Sequence, residues 1–244
     1  VNVQHELLKS LGIKKIHAVM GPSLGAMQAL EWGITYPEFV DRIVMAIGTG
    51  EADAWLIGWL SLWADPIKID SNWNNGNYYG KTEPYNGLLG SLKLIALHAR
   101  HPLTVNEEFG RKWAKLDEDP LQAFNNKFAV EVGIEKWAIE RATFIDPNHL
   151  LYMTKTVQNF IAGLGTSLEE ALHKVKKPIL LLPSSNDMLL FPEKSKDVLD
   201  VVAKQKGHVE YLELKGKSGH LNGLIAIDQA STAISKFLLK KNLN

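Results

Sequence analysis

The chain has 244 residues, no cysteine, 27 Lys+Arg against 27 Asp+Glu and 45% hydrophobic residues. That length can bury a large core, while disulfide scaffolds and cysteine-ligated metal sites are excluded and the charge balance gives no pull toward nucleic acid. No apolar run approaches the roughly 18 residues of a membrane span, so an enzyme or binding protein of the cytoplasm is expected, with no membrane or nucleic-acid partner.

The chain opens VNVQHELLKSLG, without Met or a signal segment, so Val1 need not be a natural start. Val3, Leu7, Leu8 and Leu11 stand at helical spacing, and Gly12 follows as a C-cap. Lys15 to Met20 reads as a buried strand. The segment from Gly21 to Gly25 breaks it, Ala26 to Trp32 restarts a helix ending before Tyr36-Pro37, and Val40 to Ile47 is a second short strand. Short connections between alternating strands and helices favour a parallel sheet covered on both faces. From Glu51 to about Gly165 the pattern becomes helical: a segment bearing Trp55, Trp59 and Trp63, a polar turn cluster from Ser71 to Gly80, then helices near 88–99, 106–115, 120–129 and 148–162. Alternation resumes with a strand at Ile179 to Pro183, a helix near 193–205, a strand from His208 to Leu214 and a last helix over about 222–240. The expected organisation is a core at 1–50, a helical insertion at 51–165 and the rest of the core at 166–244.

Gly21-Pro22-Ser23-Leu24-Gly25 is a G-x-S-x-G between a strand and a helix. Small residues two before and two after let a sharp turn close, and the serine oxygen then projects above the sheet. The backbone N–H of Leu24, at a helix N-terminus, is the candidate oxyanion donor. A serine needs a base oriented by an acid, and an α/β-hydrolase places these in the order Ser, Asp or Glu, His, each after a late strand. Asp187 follows the ILLLP strand and His220 follows the HVEYLEL strand. Asp146, before Pro147, and the Glu193 region are competing acids. The pair His98 and His101 is the rival as a metal site, but it has no carboxylate at ligand spacing, and no metal is expected.

The run from Gly21 to Trp32, GPSLGAMQALEW, resembles the elbow and following helix of the homoserine O-acetyltransferases, usually GGSMGGMQALEW. Ala64-Asp65-Pro66 with the segment from Asn72 to Tyr79 resembles that family's ADPxWxGGxYY, Pro84 with Gly87-Leu88 its PxxGL, and Ser218-Gly219-His220 its GHD loop. The resemblance spans essentially the whole chain. It implies an α/β-hydrolase fold with a helical lid, and ping-pong transfer of an acetyl group from acetyl-CoA to an alcohol through an acyl-serine. Ser23 would be the nucleophile, His220 the base and Asp187 its orienting acid. No prosthetic group would be needed, acetyl-CoA being a co-substrate, and a homodimer would form through the lid helices.

Three departures bear on the acceptor. Leu92 stands where the family carries an Arg associated with the substrate carboxylate, Ala99 where it has a Tyr, and Leu221 where an Asp follows the catalytic His. A carboxylate and an ammonium left unpaired in a closed pocket would cost several kcal/mol. Lys93 and Arg100 are the nearby candidates for substrate binding, each displaced by one helical position, about 100°. Acyl transfer to an alcohol is therefore the first reading, serine ester or thioester hydrolysis the second, and a non-catalytic binding module the third. The elbow comes only 23 residues in, whereas an α/β-hydrolase normally has several strands before it and draws a second oxyanion N–H from an early loop. The N-terminal strands are thus expected to be absent from this chain, which would be the later two-thirds of a longer protein.

Overall fold

A computed structural model describes residues 1–164 and 167–240, so the expected boundary at 165/166 lies outside the described residues. The chain divides into two compact units, residues 1–52 with 160–244, and residues 53–159.

The first unit is built on apolar runs that form parallel strands. β1 (Val19–Pro22), β2 (Ile43–Ala46), β3 (Ile179–Leu182) and β4 (Val209–Tyr211) lie side by side in that order, with Val19 opposite Ile43, Ile43 opposite Ile179 and Ile179 opposite Val209. Every residue of β2 and β3 is buried, as expected of central strands covered on both faces. Their side chains alternate between two cores. Ile43, Met45, Ile179 and Leu181 pack with Ala26, Ala29 and Leu30 of α2 (Leu24–Thr35) and Val198 and Val202 of α9 (Pro192–Lys204). Val44, Ala46, Leu180 and Leu182 pack with Phe237 of α11 (Ser231–Leu239). Gly33 lets α2 sit close to the sheet, because a Cβ there would lie 2.1 Å from Ile43 Cδ1. α1 (Asn2–Ser10), α8 (Leu168–Leu172) and the one-turn α10 (Asn222–Ile225) complete the unit. The fold is thus the expected α/β class, but the first strand is Val19–Pro22 rather than Lys15 to Met20, runs through Gly21 and leaves Met20 half exposed, and the last helix is not continuous over 222–240. After α10, Ala226 leaves helical geometry at φ −124° and a 3₁₀ turn (Ile227–Ala230) precedes α11.

The second unit is helical: α3 (Ala54–Ile69), a 3₁₀ segment (Ser71–Gly76), α4 (Tyr85–His98), α5 (Pro102–Phe109), α6 (Ala129–Ala142) and α7 (Pro147–Gln158). Its core is Ile67, Leu88, Leu92 and Ala138. Asp53, His101 and Asp146 cap α3, α5 and α7 by accepting backbone N–H groups of the first turn. Two glycines set the close crossing of α3 and α4. A Cβ at Gly87 would lie 2.6 Å from the Pro66 carbonyl oxygen, and one at Gly90 would lie 2.9 Å from Pro66 Cβ.

Here the helices expected over 106–115 and 120–129 are corrected. α5 ends at Phe109, residues 117–127 are turns and irregular loop, and Trp113 bridges Phe128 in an antiparallel pair held by Ala114 N–H to Lys127 O and Ala129 N–H to Lys112 O, both 2.8 Å. The pattern missed α6 because it carries β-branched residues and Gly133, poor helix formers. Packing requires that glycine, since a Cβ at Gly133 would meet the Phe109 ring at 2.4 Å.

Candidate active site

The elbow is held from both sides. β1 ends at Pro22, α2 begins at Leu24, and between them Ser23 takes φ 55° and ψ −121°, a left-handed conformation unusual for a residue with a Cβ. Ser23 N–H donates to Ala46 O at 2.9 Å, extending the β1–β2 ladder, while its carbonyl accepts from Ala26 N–H at 2.9 Å and Met27 N–H at 3.2 Å, opening the helix. Gly21 is obligatory, because a Cβ there would lie 2.5 Å from Gly25 backbone carbon. Pro22 is tolerated as a strand-end residue. Leu24, as the first residue of α2, has no carbonyl within the helix for its N–H.

The acid and the base come from loops at the C-terminal ends of β3 and β4. These loops begin side by side, with Ser185 N–H donating to Leu214 O at 3.0 Å and Leu214 N–H to Pro183 O at 2.8 Å. Asp187 is 2% exposed and His220 8% exposed. Asp187 Oδ1 accepts the N–H groups of Leu189 and Leu190, each at 2.9 Å, leaving Oδ2 to His220 Nδ1 at 2.7 Å. His220 Nε2 stands 2.9 Å from Ser23 Oγ. A carboxylate only accepts, so the imidazole proton sits on Nδ1 and the Nε2 lone pair faces the serine hydroxyl. The three residues singled out in the sequence, 197 positions apart at the extremes, therefore form one hydrogen-bonded line.

The competing groups lie elsewhere. Asp146, in the second unit, caps α7 and accepts from Tyr78 Oη at 2.5 Å and Tyr79 Oη at 3.2 Å. Burial pushes its carboxyl up, but the hydrogen bonds from Tyr78, His149 N–H and Tyr79 outweigh this and hold it below the ordinary carboxylate range. Glu193, in the first turn of α9, reaches Lys196 at 3.8 Å. His98 stacks on Trp59 with ring centroids 4.0 Å apart, and His101 Nδ1 accepts the N–H of Leu103 at 3.2 Å. Among the described residues no group of three His, Asp or Glu side chains is arranged to hold a metal ion.

Lys93 and Arg100 belong to the second unit and both have partners there. Lys93 Nζ is 3.3 Å from Glu135 Oε1. Arg100 donates to Ala96 O at 2.6 Å and lies over the Trp137 ring, 3.5 Å from its centroid; burial lowers its affinity for a proton. Leu92, in the Arg position of the resembled pattern, is part of the unit's core.

Residue patterns missed a polar cluster behind His220. Ser184 and Asn222 are 0% and 2% exposed and bond to each other, to Asn186 and to the backbone of Gly219 and Ser218. The only signal was that three polar residues, Ser184-Ser185-Asn186, precede the acid and an Asn stands two after the histidine.

A strand, a strained serine, a helix and two late loops bearing Asp and His define an α/β-hydrolase, and residues 1–224 match the family model for the alpha/beta hydrolase fold. The chain belongs to that family. Within it, the chain is 31% identical to a homoserine O-acetyltransferase of Methanococcus vannielii, an alignment covering 99% of this chain and 49% of the relative. Of solved structures, esterase E22 is 38% identical with TM-score 0.91, covering 97% of this chain and 65% of that one. Homoserine O-acetyltransferase from Bacillus anthracis is 27% identical with TM-score 0.92, covering 98% and 64%. The chain spans about half the length of the curated relative and about two-thirds of these structures. No helix among the described residues is long and apolar enough to cross a membrane.

Proposed function

We propose that the protein is an acyl-transfer enzyme of the homoserine O-acetyltransferase type that works through an acyl-Ser23 intermediate. The observation that carries this reading is the 2.9 Å approach of His220 Nε2 to the hydroxyl of a serine held in a strained elbow. Nε2 takes the proton as Ser23 Oγ attacks the acyl carbonyl, and Asp187 stabilises the imidazolium that forms. The developing oxyanion meets the N–H of Leu24 at the positive end of α2. His220 returns the proton to the leaving thiol or alcohol, and the acceptor alcohol repeats the sequence in reverse, regenerating Ser23. In this reading acetyl-CoA is a co-substrate, no resident cofactor takes part, the protein acts in the cytoplasm, and a homodimer forms through helices of the second unit.

Leu221 favours a second reading in which water resolves the acyl-enzyme. It places a half-buried apolar side chain next to the base where the resembled pattern carries a carboxylate for an amino-acid acceptor. The 38% identity to an esterase supports the same outcome. The test is to mix full-length protein with acetyl-CoA, with and without homoserine and simpler alcohols, following free CoA and the mass of the Ser23 peptide. CoA release that rises only with an alcohol supports transfer, and release indifferent to alcohol supports hydrolysis. If neither acetyl-CoA nor p-nitrophenyl acetate acylates Ser23, both are wrong.

A further inference from the structure

The cluster behind His220 contains a directed chain of hydrogen bonds between the acid loop and the base loop. Asn222 Nδ2 has two protons; one goes to Ser184 Oγ and the other to Asn186 Oδ1, each at 3.0 Å. Its Oδ1 accepts the N–H of Ser218 at 3.3 Å, so both donors and the oxygen of the amide are engaged. Ser184 has a single proton and two acceptors in reach, Gly219 O at 2.8 Å and Asn186 Oδ1 at 3.3 Å. Asn186 Oδ1 already takes a proton from Asn222, so the shorter contact wins and Ser184 donates to the carbonyl of Gly219. That carbonyl belongs to the peptide that ends at His220 nitrogen. Gly219 sits at φ 65°, which glycine adopts without steric cost, so the bond from Ser184 selects one among several backbone conformations open to this residue.

We propose that Ser184 and Asn222 are positioning residues that fix the peptide preceding His220 against the root of the Asp187 loop, setting the reach of Nε2 to Ser23. This deepens the acyl-serine reading and rests on it. The bonds of both side chains go to Asn186, to each other and to the backbone of Ser218 and Gly219 rather than to the hydroxyl, imidazole or carboxylate of the triad. Both act through His220, Ser184 on the peptide before it and Asn222 on the turn around it, where a Cβ at Gly216 would come within 2.4 Å of Asn222 Oδ1. With Ser184 fully buried, no bulk water replaces a lost partner. The imidazole must keep two contacts at once, 2.7 Å to Asp187 and 2.9 Å to Ser23, and a displacement of about 1 Å costs about 100-fold in rate.

The test compares Ser184→Ala, Asn222→Ala and their double variant with Ser195→Ala in full-length protein, using p-nitrophenyl acetate as acyl donor. Ser195 is a comparably buried serine of the same unit whose hydroxyl donates to Gly48 O at 3.2 Å rather than to the His220 loop. The expected result is a kcat fall of roughly 10- to 100-fold in Ser184→Ala and Asn222→Ala, with KM within about twofold of the parent and little change in Ser195→Ala. The double variant should be no slower than the worse single one, because both bonds serve one peptide. Equal kcat in Ser184→Ala and Ser195→Ala at matched thermal stability, or multiplicative loss in the double variant, overturns the proposal. Ser23→Ala in the same assay separates the two levels: if it keeps parental activity, the acyl-serine reading itself falls.

Discussion

The sheet-bearing unit and the helical unit obey different rules, and the contrast shows where function is written. In the first, each element is short and its ends are fixed by backbone pairing, so that Ser23 sits at the end of β1 and the loops carrying Asp187 and His220 start from neighbouring strands of one parallel ladder. In the second, side-chain anchors decide. Trp73 Nε1 donates to Asn148 Oδ1 at 3.0 Å, Tyr78 and Tyr79 donate to Asp146, and Asn148 Nδ2 returns to Gly76 O at 3.0 Å, tying the polar turn to α7. A change in the first unit should therefore alter chemistry first, and a change in the second should alter stability first.

The largest expected effect is on chemistry alone. Ser23→Ala should lower acyl transfer at least about 1,000-fold while leaving the unfolding midpoint within about 1 kcal/mol of the parent, read by p-nitrophenyl acetate kinetics and urea denaturation. Gly21→Ala comes next, because its Cβ meets backbone atoms of Gly25 that have no rotamer to escape through. We expect a loss of about 3 kcal/mol or failure to acylate, and parental activity with parental stability would refute the elbow's dependence on this glycine. In the helical unit, Tyr78→Phe should cost about 1–3 kcal/mol by stripping the half-buried Asp146 of a charge-assisted donor from the buried Tyr78, with Ser23 acylation by p-nitrophenyl acetate unchanged per folded molecule. If acylation falls in proportion, the two units are not separable in this way.

Ser23→Gly sharpens the contrast inside the active unit. Glycine accepts φ 55° freely, so this variant should gain about 1 kcal/mol while losing activity, which would show strain retained at the nucleophile. The smallest effect is on pH dependence. The folded-state pKa of Asp146 lies below its ordinary value of 3.8, so the ionised carboxylate stabilises the fold at higher pH. That contribution is complete above the unfolded value and is lost as pH falls below about 4 through the folded value. Urea midpoints of the parent and Asp146→Asn should therefore differ at pH 6 and converge toward pH 3; a constant gap would contradict the assignment.

The two central strands and the triad were legible because they rest on local rules, whereas β1 begins four residues later than its run of apolar residues suggests and β4 keeps only Val209–Tyr211. A G-x-S-x-G between a strand and a helix admits few backbones, and the apolar run ending in Pro183 and the alternating run ending in Leu214 mark where the functional loops begin. The helical insertion was less legible for an equally specific reason. Its α6 carries Gly133 to make room for Phe109, and residues 117–127 are folded by the Trp113–Phe128 bridge rather than by their own periodicity. Lys93 and Arg100 were singled out by position in a pattern, and only packing shows them held by Glu135 and Trp137.

The sequence by itself determined the α/β class and the nucleophile turn, which residue type and spacing set within a few positions, and the order of acid and base, which follows from a polar loop after each late strand-like run. Tertiary structure alone decided which acid meets His220, and it revealed the Ser184–Asn222 link behind it. Those contacts join residues 33 and 38 positions apart. Each depends on loops brought together by strands β3 and β4, and on burial that makes every donor there find an acceptor.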